Sequence, residues 1–189
     1  MAQYLSSAPS PRYRRYVLGL LLGAYVLSYL DRQILYILIE PIKLELALSD
    51  TQIGLLGGLT FALFYATLGM PIAWLADKYS RKNIMVASLV IWSGMTAASG
   101  AAVNFGQLLL ARIGVAVGEA GCNPSAHSLI ADLYPPEKRA TALSTYQLGI
   151  PIGVMIGLFA GGWISQFFGW RAAFFAVGIP GLLFSLIVM

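Results

Sequence analysis

The sequence predicts an all-α integral membrane protein, folded as a bundle of six transmembrane helices. Two observations support this fold class. Of the 189 residues, 58% are hydrophobic and 11% are charged, whereas about a quarter of the residues in a soluble domain are charged. The few charges are also separated by apolar runs long enough to cross a bilayer, which takes roughly 20 residues. The uncharged runs are 51–76, 83–111, 140–170 and 172–189.

The breaks between these runs define the predicted spans. Ser49 and Gln52 have the spacing of a capping box at the start of the second span. Pro135 and Pro136 interrupt the chain after the fourth span. We therefore divide the chain into an N-terminal segment, residues 1–15, and a transmembrane domain, residues 16–189. The six spans are predicted near residues 16–40, 51–76, 83–104, 107–132, 140–165 and 171–189.

Cationic residues in the short connections predict the orientation. Eight Lys and Arg residues lie on the side of the N-terminus, and only Lys43 and Arg171 lie on the other side. Because positive loops stay in the cytoplasm, both termini are predicted to be cytoplasmic. The first 15 residues lack the apolar core and cleavage site of a signal peptide, so we expect the first span to remain in the mature protein. The eight are Arg12, Arg14, Arg15, Lys78, Arg81, Lys82, Lys138 and Arg139.

Other sequence features count against several classes of function. The single cysteine, Cys122, excludes disulfides within the chain, and the single histidine, His127, has no partner at metal-ligand spacing. No phosphate-binding glycine loop is present, which counts against an ATP-driven pump. The net charge of +4 is explained by the orientation of the loops and not by a nucleic-acid surface. We therefore expect no enzyme activity, no catalytic residue, no cofactor, no metal and no nucleic-acid partner.

Charged residues inside the fourth span form a polar face. With ~100° per residue, Glu119 and Asn123 fall within about 20° of Arg112. The small residues Gly114, Gly118 and Gly121 fall on the opposite side, where they favour close helix packing. One interpretation is that the polar face meets a hydrated cavity, with Asn123 binding substrate. The other is that Arg112 and Glu119 neutralise each other for structural reasons.

The first span also carries two charges, Asp31 and Arg32, within an apolar helix. Such charges are costly in a membrane and are usually functional. Adjacent residues point about 100° apart, so these two cannot share one target. Tyr25, Tyr29 and Tyr36 lie on the side of Arg32, where aromatic rings and a cation favour an amphipathic ligand. The alternative is ordinary helix packing with tyrosines at the membrane interface.

Three segments resemble motifs of the major facilitator superfamily. Between the second and third spans, AWLADKYSRKNIM (73–85) resembles the motif G-x-x-x-D-[RK]-x-G-[RK]-[RK], with Ala73 and Ser80 in place of glycine. LLLARIGVAVGEAG (108–121) is similar to the fourth-helix motif. GVMIGLFAGGW (153–163) is similar to the fifth-helix motif, with Leu158 in place of proline. SYLDRQIL, GEAG and SLIADLYPPEKRATALS most resemble bacterial relatives of the spinster lipid transporters.

The resemblance implies a fold of two six-helix halves, each built from two inverted three-helix repeats. This chain then corresponds to the N-terminal half, and its main partner is a second half, with a second copy of the chain as the alternative. The implied function is secondary active transport by alternating access in a bacterial inner (plasma) membrane. The implied cargo is lipid-like or amphipathic. An organic-anion/proton symporter and a non-transporting receptor or scaffold are the alternatives, and symport and antiport both stay open.

Site roles follow from the resemblance combined with residue positions. Asp77, Arg81 and Asp132 are predicted to form a cytoplasmic gate, the alternative being a solvated loop. A row of glycines in the fifth helix is predicted to pack tightly against the second half, the alternative being a flexible helix without a defined partner. The row consists of Gly149, Gly153, Gly157 and Gly161.

Proton coupling is assigned to three charged residues. By depth in the membrane, at ~1.5 Å per residue, Asp31 falls between Arg112 and Glu119 on the neighbouring fourth helix. A cation nearby favours the carboxylate, whereas an anion nearby favours the protonated form. We therefore expect Asp31 and Glu119 to respond to protons and Arg112 to switch between them. Arg32 is expected to be free for an anionic head group or for steadying Asp31.

Overall fold

A computed structural model describes residues 10–189, apart from the side chains of Ala73, Ala76 and Asp77. Within this range the chain is helical almost throughout, with short connections. Two π-helical stretches, Leu55–Leu59 and Gly157–Gly161, interrupt the α-helices. The α-helices are α1 (Pro11–Leu46), α2 (Asp50–Gly54), α3 (Thr60–Lys78), α4 (Arg81–Gly100), α5 (Phe105–Ala120), α6 (Cys122–Leu133), α7 (Pro136–Gln147), α8 (Gly149–Ile156) and α9 (Gly162–Val188).

Side-chain caps fix where several of these helices begin. Ser10 accepts a hydrogen bond from the Tyr13 amide at the start of α1. Ser49 and Gln52 form the capping box predicted from the sequence, each accepting from the other's backbone amide at the start of α2. Asn104 accepts from the Gln107 amide at the start of α5. Each cap satisfies backbone N–H groups that have no partner within the helix.

Five helical stretches of the described chain are long and apolar enough to cross a membrane. The last of them, Pro136–Val188, has 53 residues and would be about 80 Å long as one helix, against a hydrocarbon core of about 30 Å. Gly169 divides it, because its φ of 81° and ψ of 166° break the helix, and glycine adopts positive φ without steric cost. The predicted fold class, a bundle of six spans, is therefore confirmed.

The helices extend beyond the predicted spans at several ends. The first span was predicted near residues 16–40, but α1 runs from Pro11 to Leu46. Polar residues at its two ends continue the helix although they lie outside the apolar run. The fourth span consists of α5 and α6, which meet at Gly121. The division into residues 1–15 and 16–189 relative to the membrane stays a prediction.

Helix α1 lies at the centre of the bundle, in contact with α7, α8 and α9. Helix α4 packs mainly against α9 and α5, and α3 packs against α5. Two buried apolar clusters form along α1, one around Leu21 and Tyr25 and the other around Leu38 and Ile42. Asp31 lies between these clusters along the helix. The charged residues of α1 therefore lie in the middle of the bundle, with apolar packing towards each end.

The glycine row packs against α1 of the same bundle, which corrects the prediction that it packs against a second half. A Cβ added at Gly153 would lie 2.5 Å from the Val26 carbonyl oxygen, and one at Gly149 would lie 2.9 Å from the Tyr25 Cβ. Gly157 and Gly161 likewise approach Leu30, Gln33 and Ile34 of α1. The row therefore makes a groove, as predicted, but the first helix fills it.

Gly114, Gly118 and Gly121 also form a packing face, as the sequence predicts. A Cβ at Gly118 would lie 2.6 Å from the backbone nitrogen of Trp92 in α4. Gly114 and Gly121 approach Met95 and Ser88 of the same helix. With this face against α4, the opposite face of the fourth span carries Arg112 and Glu119.

Candidate functional site

Asp31 is held in the centre of the bundle by two donors. Its Oδ1 accepts a hydrogen bond of 2.6 Å from the Thr96 hydroxyl of α4. Its Oδ2 pairs with Nη1 of Arg112 in α5 at 3.2 Å. Asp31 is 0% exposed and Arg112 is 2% exposed. The Asp31–Arg112 pair is thus a fully buried ion pair that joins three helices.

Arg32 forms a second ion pair, with Glu119. Its Nε and Nη2 donate to the same carboxylate oxygen, Oε2 of Glu119, at 2.7 and 2.6 Å. The Arg32 side chain is 26% exposed, whereas that of Glu119 is 1% exposed. The other oxygen, Oε1 of Glu119, is buried and has no hydrogen-bond partner among the described residues. Within the described part of the chain, Glu119 is thus a buried carboxylate with only one of its two oxygens hydrogen-bonded.

The two ion pairs contradict one interpretation of the polar face, a mutual Arg112–Glu119 pair. Adjacent residues of α1 point about 100° apart, and they meet two residues of α5 that lie about 10 Å apart along the helix. Arg112 and Glu119 therefore each pair with α1 and not with each other. Asp31 engages Arg112, as predicted. The expectation that Arg32 is free is wrong, because it is paired with Glu119.

The three tyrosines predicted to lie on the side of Arg32 differ in how they relate to it. Tyr29 lies beside Arg32, with 5.2 Å from its ring centroid to the guanidinium carbon. Tyr25 is buried and stacks on Tyr146 at 4.2 Å between centroids. Tyr36 is exposed, and its hydroxyl donates to the Gly57 carbonyl oxygen. Tyr29 therefore contacts the cation directly, whereas Tyr25 packs edge-on against Tyr29 at 4.9 Å between centroids and Tyr36 lines a cavity that Arg32 also lines.

Two aromatic residues of α3 complete the surroundings of Arg32. The ring centroids of Phe61 and Tyr65 lie 4.9 and 5.1 Å from its guanidinium carbon. A cavity of about 120 Å³ adjoins this group. The cation is thus enclosed by rings and a carboxylate but remains in contact with open space. The cavity is lined by Arg32, Leu35, Tyr36, Gly57, Phe61 and Arg112.

Asn123 lies one turn beyond Glu119 on the same face of the fourth span. Its Nδ2 donates to the Tyr65 hydroxyl at 3.0 Å, and its Oδ1 accepts from the Tyr146 hydroxyl at 2.7 Å. These bonds connect α3, α6 and α7. The sequence predicted that Asn123 binds substrate, which stays a prediction, but it did not predict these two partners.

Charged residues at the end of the bundle that contains the α3–α4 connection form part of the predicted gate. Nη1 of Arg81, at the start of α4, pairs with Oδ2 of Asp132, near the end of α6. The Asp77 side chain, the third predicted member, lies outside the described part of the structure. One of the two predicted contacts, Arg81–Asp132, is therefore present, and its role as a gate stays a prediction.

Residues 21–189 match the family Major Facilitator Superfamily. The chain belongs to the major facilitator superfamily.

Relatives in this superfamily are transporters of about twice the chain's length. An MFS-type efflux pump of Mycolicibacterium smegmatis is 36% identical over 95% of this chain and 42% of its own length. The hexuronate transporter of Bacillus subtilis is 30% identical over 87% of this chain and 39% of its own length. The chain therefore spans less than half the length of the curated relatives it matches.

A solved structure of a bacterial homologue to the human lysosomal transporter Spinster, inward-facing and occupied, has the same fold. It superposes with a TM-score of 0.89 at 40% identity, over 95% of this chain and 44% of that chain. The resemblance to bacterial spinster relatives, inferred from the first and fourth helices, is confirmed.

Three site residues of this major facilitator protein were not found by sequence reasoning. Nothing in the sequence marks Thr96 as a partner of Asp31, because a lone threonine in an apolar helix usually forms its hydrogen bond within its own helix. Phe61 and Tyr65 are four residues apart and therefore share a helix face, but their span carries no charge to mark it. His, Cys, Asp and Glu side chains in the described residues form no group of three or more that could hold a metal ion.

Proposed function

We propose that this chain is one half of a secondary active transporter that couples an amphipathic anion to protons by alternating access. The observation that carries the proposal is Glu119, a buried carboxylate bonded through one oxygen to the partly exposed Arg32. Glu119 offers a site for a proton, and Arg32 offers a site for an anion. When neither a proton nor an anion is bound, the two side chains pair with each other.

The geometry gives a mechanism for exchange between these ligands. A proton on Glu119 removes the negative charge that holds Arg32, since a neutral carboxyl group is a weaker acceptor than a carboxylate. The guanidinium then has donors available for an anionic group entering the adjacent cavity. Loss of the anion allows Arg32 to return to the carboxylate once the proton leaves. Proton and anion binding are thereby linked through one side chain.

The Asp31–Arg112 pair supplies the second part of the proposed mechanism. Asp31 is shared between Thr96 and Arg112, so its charge is balanced in the described state. Protonation of Asp31 would release Arg112, whose ring neighbour Phe61 also contacts Arg32. Movement against a second six-helix half would then change which partner each arginine reaches. Asp31, Glu119 and Arg112 keep the proton-coupling roles predicted from the sequence.

The surroundings of Arg32 favour an anion with apolar area. Tyr29, Phe61 and Tyr65 present ring surfaces within about 5 Å of the charge. Such surfaces bind the apolar part of an amphipathic molecule while the cation binds its charged group. We therefore infer a lipid-like cargo from these rings, and a bacterial inner membrane with both termini cytoplasmic from the cationic residues of the loops.

A small organic acid is the second candidate. The curated relatives include a hexuronate transporter of B. subtilis and a probable L-galactonate transporter of Escherichia coli. The cavity of about 120 Å³ beside Arg32 could receive the carboxylate of such an acid. Uptake measured with a lysophospholipid and with a sugar acid separates the two candidates.

The test uses the complete transporter in liposomes with an imposed pH gradient. We expect Asp31→Asn and Glu119→Gln to insert and to bind substrate but to lose gradient-driven flux by at least about tenfold, or ~1.4 kcal/mol. Glu137→Gln, which removes an exposed carboxylate from the start of α7, is the matched control. Flux that persists in both site variants contradicts the proposal, and the gradient direction that drives flux distinguishes symport from antiport.

The cytoplasmic gate gives a separate prediction. We expect Arg81→Lys to slow transport about tenfold while leaving insertion and orientation unchanged, because lysine keeps the charge but loses the planar fork that pairs with carboxylates. Lys138→Arg in the next cytoplasmic connection is the control. An Arg81→Lys variant with a normal rate would show that the segment, including Asp77, acts only as a positively charged loop.

A further inference from the structure

A second cavity, of about 250 Å³, lies near the Arg32–Glu119 pair. Among the described residues, no charged one lines it. Its polar groups come from α3 and α6. Glu119, Asn123 and His127 recur every four residues along the fourth span, so they share one face. The cavity is lined by Tyr65, Gly69, Ala120, Asn123, Pro124 and His127.

The Asn123 amide is fixed in orientation by its two tyrosine partners. Because Nδ2 donates to Tyr65 and Oδ1 accepts from Tyr146, one N–H of the amide and one lone pair of its oxygen stay available. The Tyr65 oxygen accepts from Asn123, so its own O–H is available to donate. The wall of the cavity therefore offers both donors and an acceptor in a preset geometry.

His127 adds a second donor–acceptor group. It is exposed, and its ring packs edge-on against Tyr146 at 5.7 Å between centroids. Neutral imidazole has one N–H donor and one acceptor nitrogen. Its contact with Tyr146 places it beside the same tyrosine that orients Asn123. Nothing in the transport mechanism proposed above uses His127.

Tyr65 links this cavity to the anion position. Its hydroxyl bonds Asn123, and its ring centroid lies 5.1 Å from the guanidinium carbon of Arg32. A group bound at Arg32 and a group bound at Asn123 are therefore separated by about one aromatic side chain. One small molecule, or one lipid head group, spans that distance.

We propose that Tyr65, Asn123 and His127 form a hydroxyl subsite, which binds the hydroxylated part of a substrate whose anionic group pairs with Arg32. This inference rests on the proposed transport function. Hydroxyl groups fit because each is both a donor and an acceptor, like the groups that line the cavity. A sugar acid and a lipid with a polyol head group share this chemistry.

A quaternary ammonium head group fits less well. Cations of that kind bind between the faces of aromatic rings. Tyr65, which lines the cavity, already lies beside Arg32, with 5.1 Å between its ring centroid and the guanidinium carbon. A second cation there would be repelled by the guanidinium, so the neutral subsite is assigned to hydroxyls.

The experiment compares pairs of ligands that share an anionic group and a similar skeleton and differ chiefly in their number of hydroxyl groups. D-Glucuronate and cyclohexanecarboxylate both have a six-membered ring and one carboxylate, and lysophosphatidylglycerol and lysophosphatidylethanol both have one phosphodiester. Binding of each to the purified complete transporter is measured by calorimetry. We expect the wild type to prefer the hydroxylated member of at least one pair by about tenfold or more, since unpaired polar groups penalise the other member.

Variants then assign the preference to the subsite. Asn123→Leu, His127→Phe and Tyr65→Phe should each reduce the preference about threefold to tenfold. Affinity for the member without hydroxyls should change less than affinity for its partner, and Tyr65→Phe tests the hydroxyl alone because it keeps the ring beside Arg32. Tyr13→Phe, which removes an exposed tyrosine hydroxyl near the start of α1, is the matched control.

The pair that shows the preference identifies the source, a free sugar acid or a lipid head group. A wild type without preference in either pair overturns the subsite, as does a preference that survives in all three variants. Tighter binding of lysophosphatidylcholine than of lysophosphatidylglycerol also overturns it. These outcomes are independent of the pH-gradient test, which alone decides the proposed proton coupling.

Discussion

Replacing Asp31 with asparagine is expected to lower the free energy of unfolding by about 3 kcal/mol, because it leaves Arg112 as an unpaired buried cation. Arg112 is 2% exposed, and its Nε already lacks a partner among the described residues. Loss of one partner from a buried pair costs more than removal of both. Thermal unfolding of the purified complete transporter in detergent measures the change.

The double variant Asp31→Asn/Arg112→Gln separates stability from function. It removes both charges, so we expect most of the lost stability to return. Flux in response to a pH gradient should stay absent, since the proposed proton carrier is still missing. If the double variant regained gradient-driven flux, the Asp31 carboxylate would have a structural role only.

Thr96→Val is a smaller perturbation. It removes one hydrogen bond to Asp31 and is expected to lower the free energy of unfolding by about 1 kcal/mol.

The fold was predictable because each segment that crosses a bilayer must be a long apolar run, which is visible in the sequence. Uncharged runs of sufficient length locate most spans, and the charged residues between them, together with Pro135 and Pro136, locate the breaks. Gly169 shows the limit of this reasoning. The sequence predicts a break between residues 165 and 171, but the structure keeps the helix up to Gly169 and turns at that residue.

The charged site was predictable in its members but only partly in its contacts. Depth along a helix can be counted from the sequence, and it placed Asp31 near Arg112 correctly. Rotation of one helix relative to another cannot be counted in this way. The pairing of Arg32 with Glu119, and its enclosure by Phe61 and Tyr65 of another span, depend on that rotation.

The glycine row shows the same limit for packing. A repeat of four predicts a groove on one face of the fifth helix, and the structure contains that groove. The sequence does not state which helix lies in it. Because α1 carries the charged site, a groove filled by α1 connects helix packing directly to the position of Tyr29 and Arg32.

Replacing Gly153 with alanine is therefore expected to damage the site from a distance. The added Cβ would lie 2.5 Å from the Val26 carbonyl oxygen and 2.8 Å from the Tyr29 Cβ. A backbone oxygen inside a helix cannot move aside alone, so α1 and α8 must separate. We expect a loss of stability of about 2 kcal/mol. A displaced Tyr29 should also weaken binding of an amphipathic anion at Arg32.

Gly162→Ala is the matched control, because a Cβ at Gly162 meets nothing within 4 Å. Alanine there should be neutral or stabilising by up to about 1 kcal/mol, through its higher helix propensity. Gly157→Leu should resemble Gly153→Ala, since its side chain would meet Leu30 and Gln33 of α1. Equal stability of Gly153→Ala and Gly162→Ala, measured by thermal unfolding of the same transporter in detergent, would show that α1 does not fill the groove. If α1 fills the groove, only Gly153→Ala and Gly157→Leu should lose stability, and both should bind the anion more weakly.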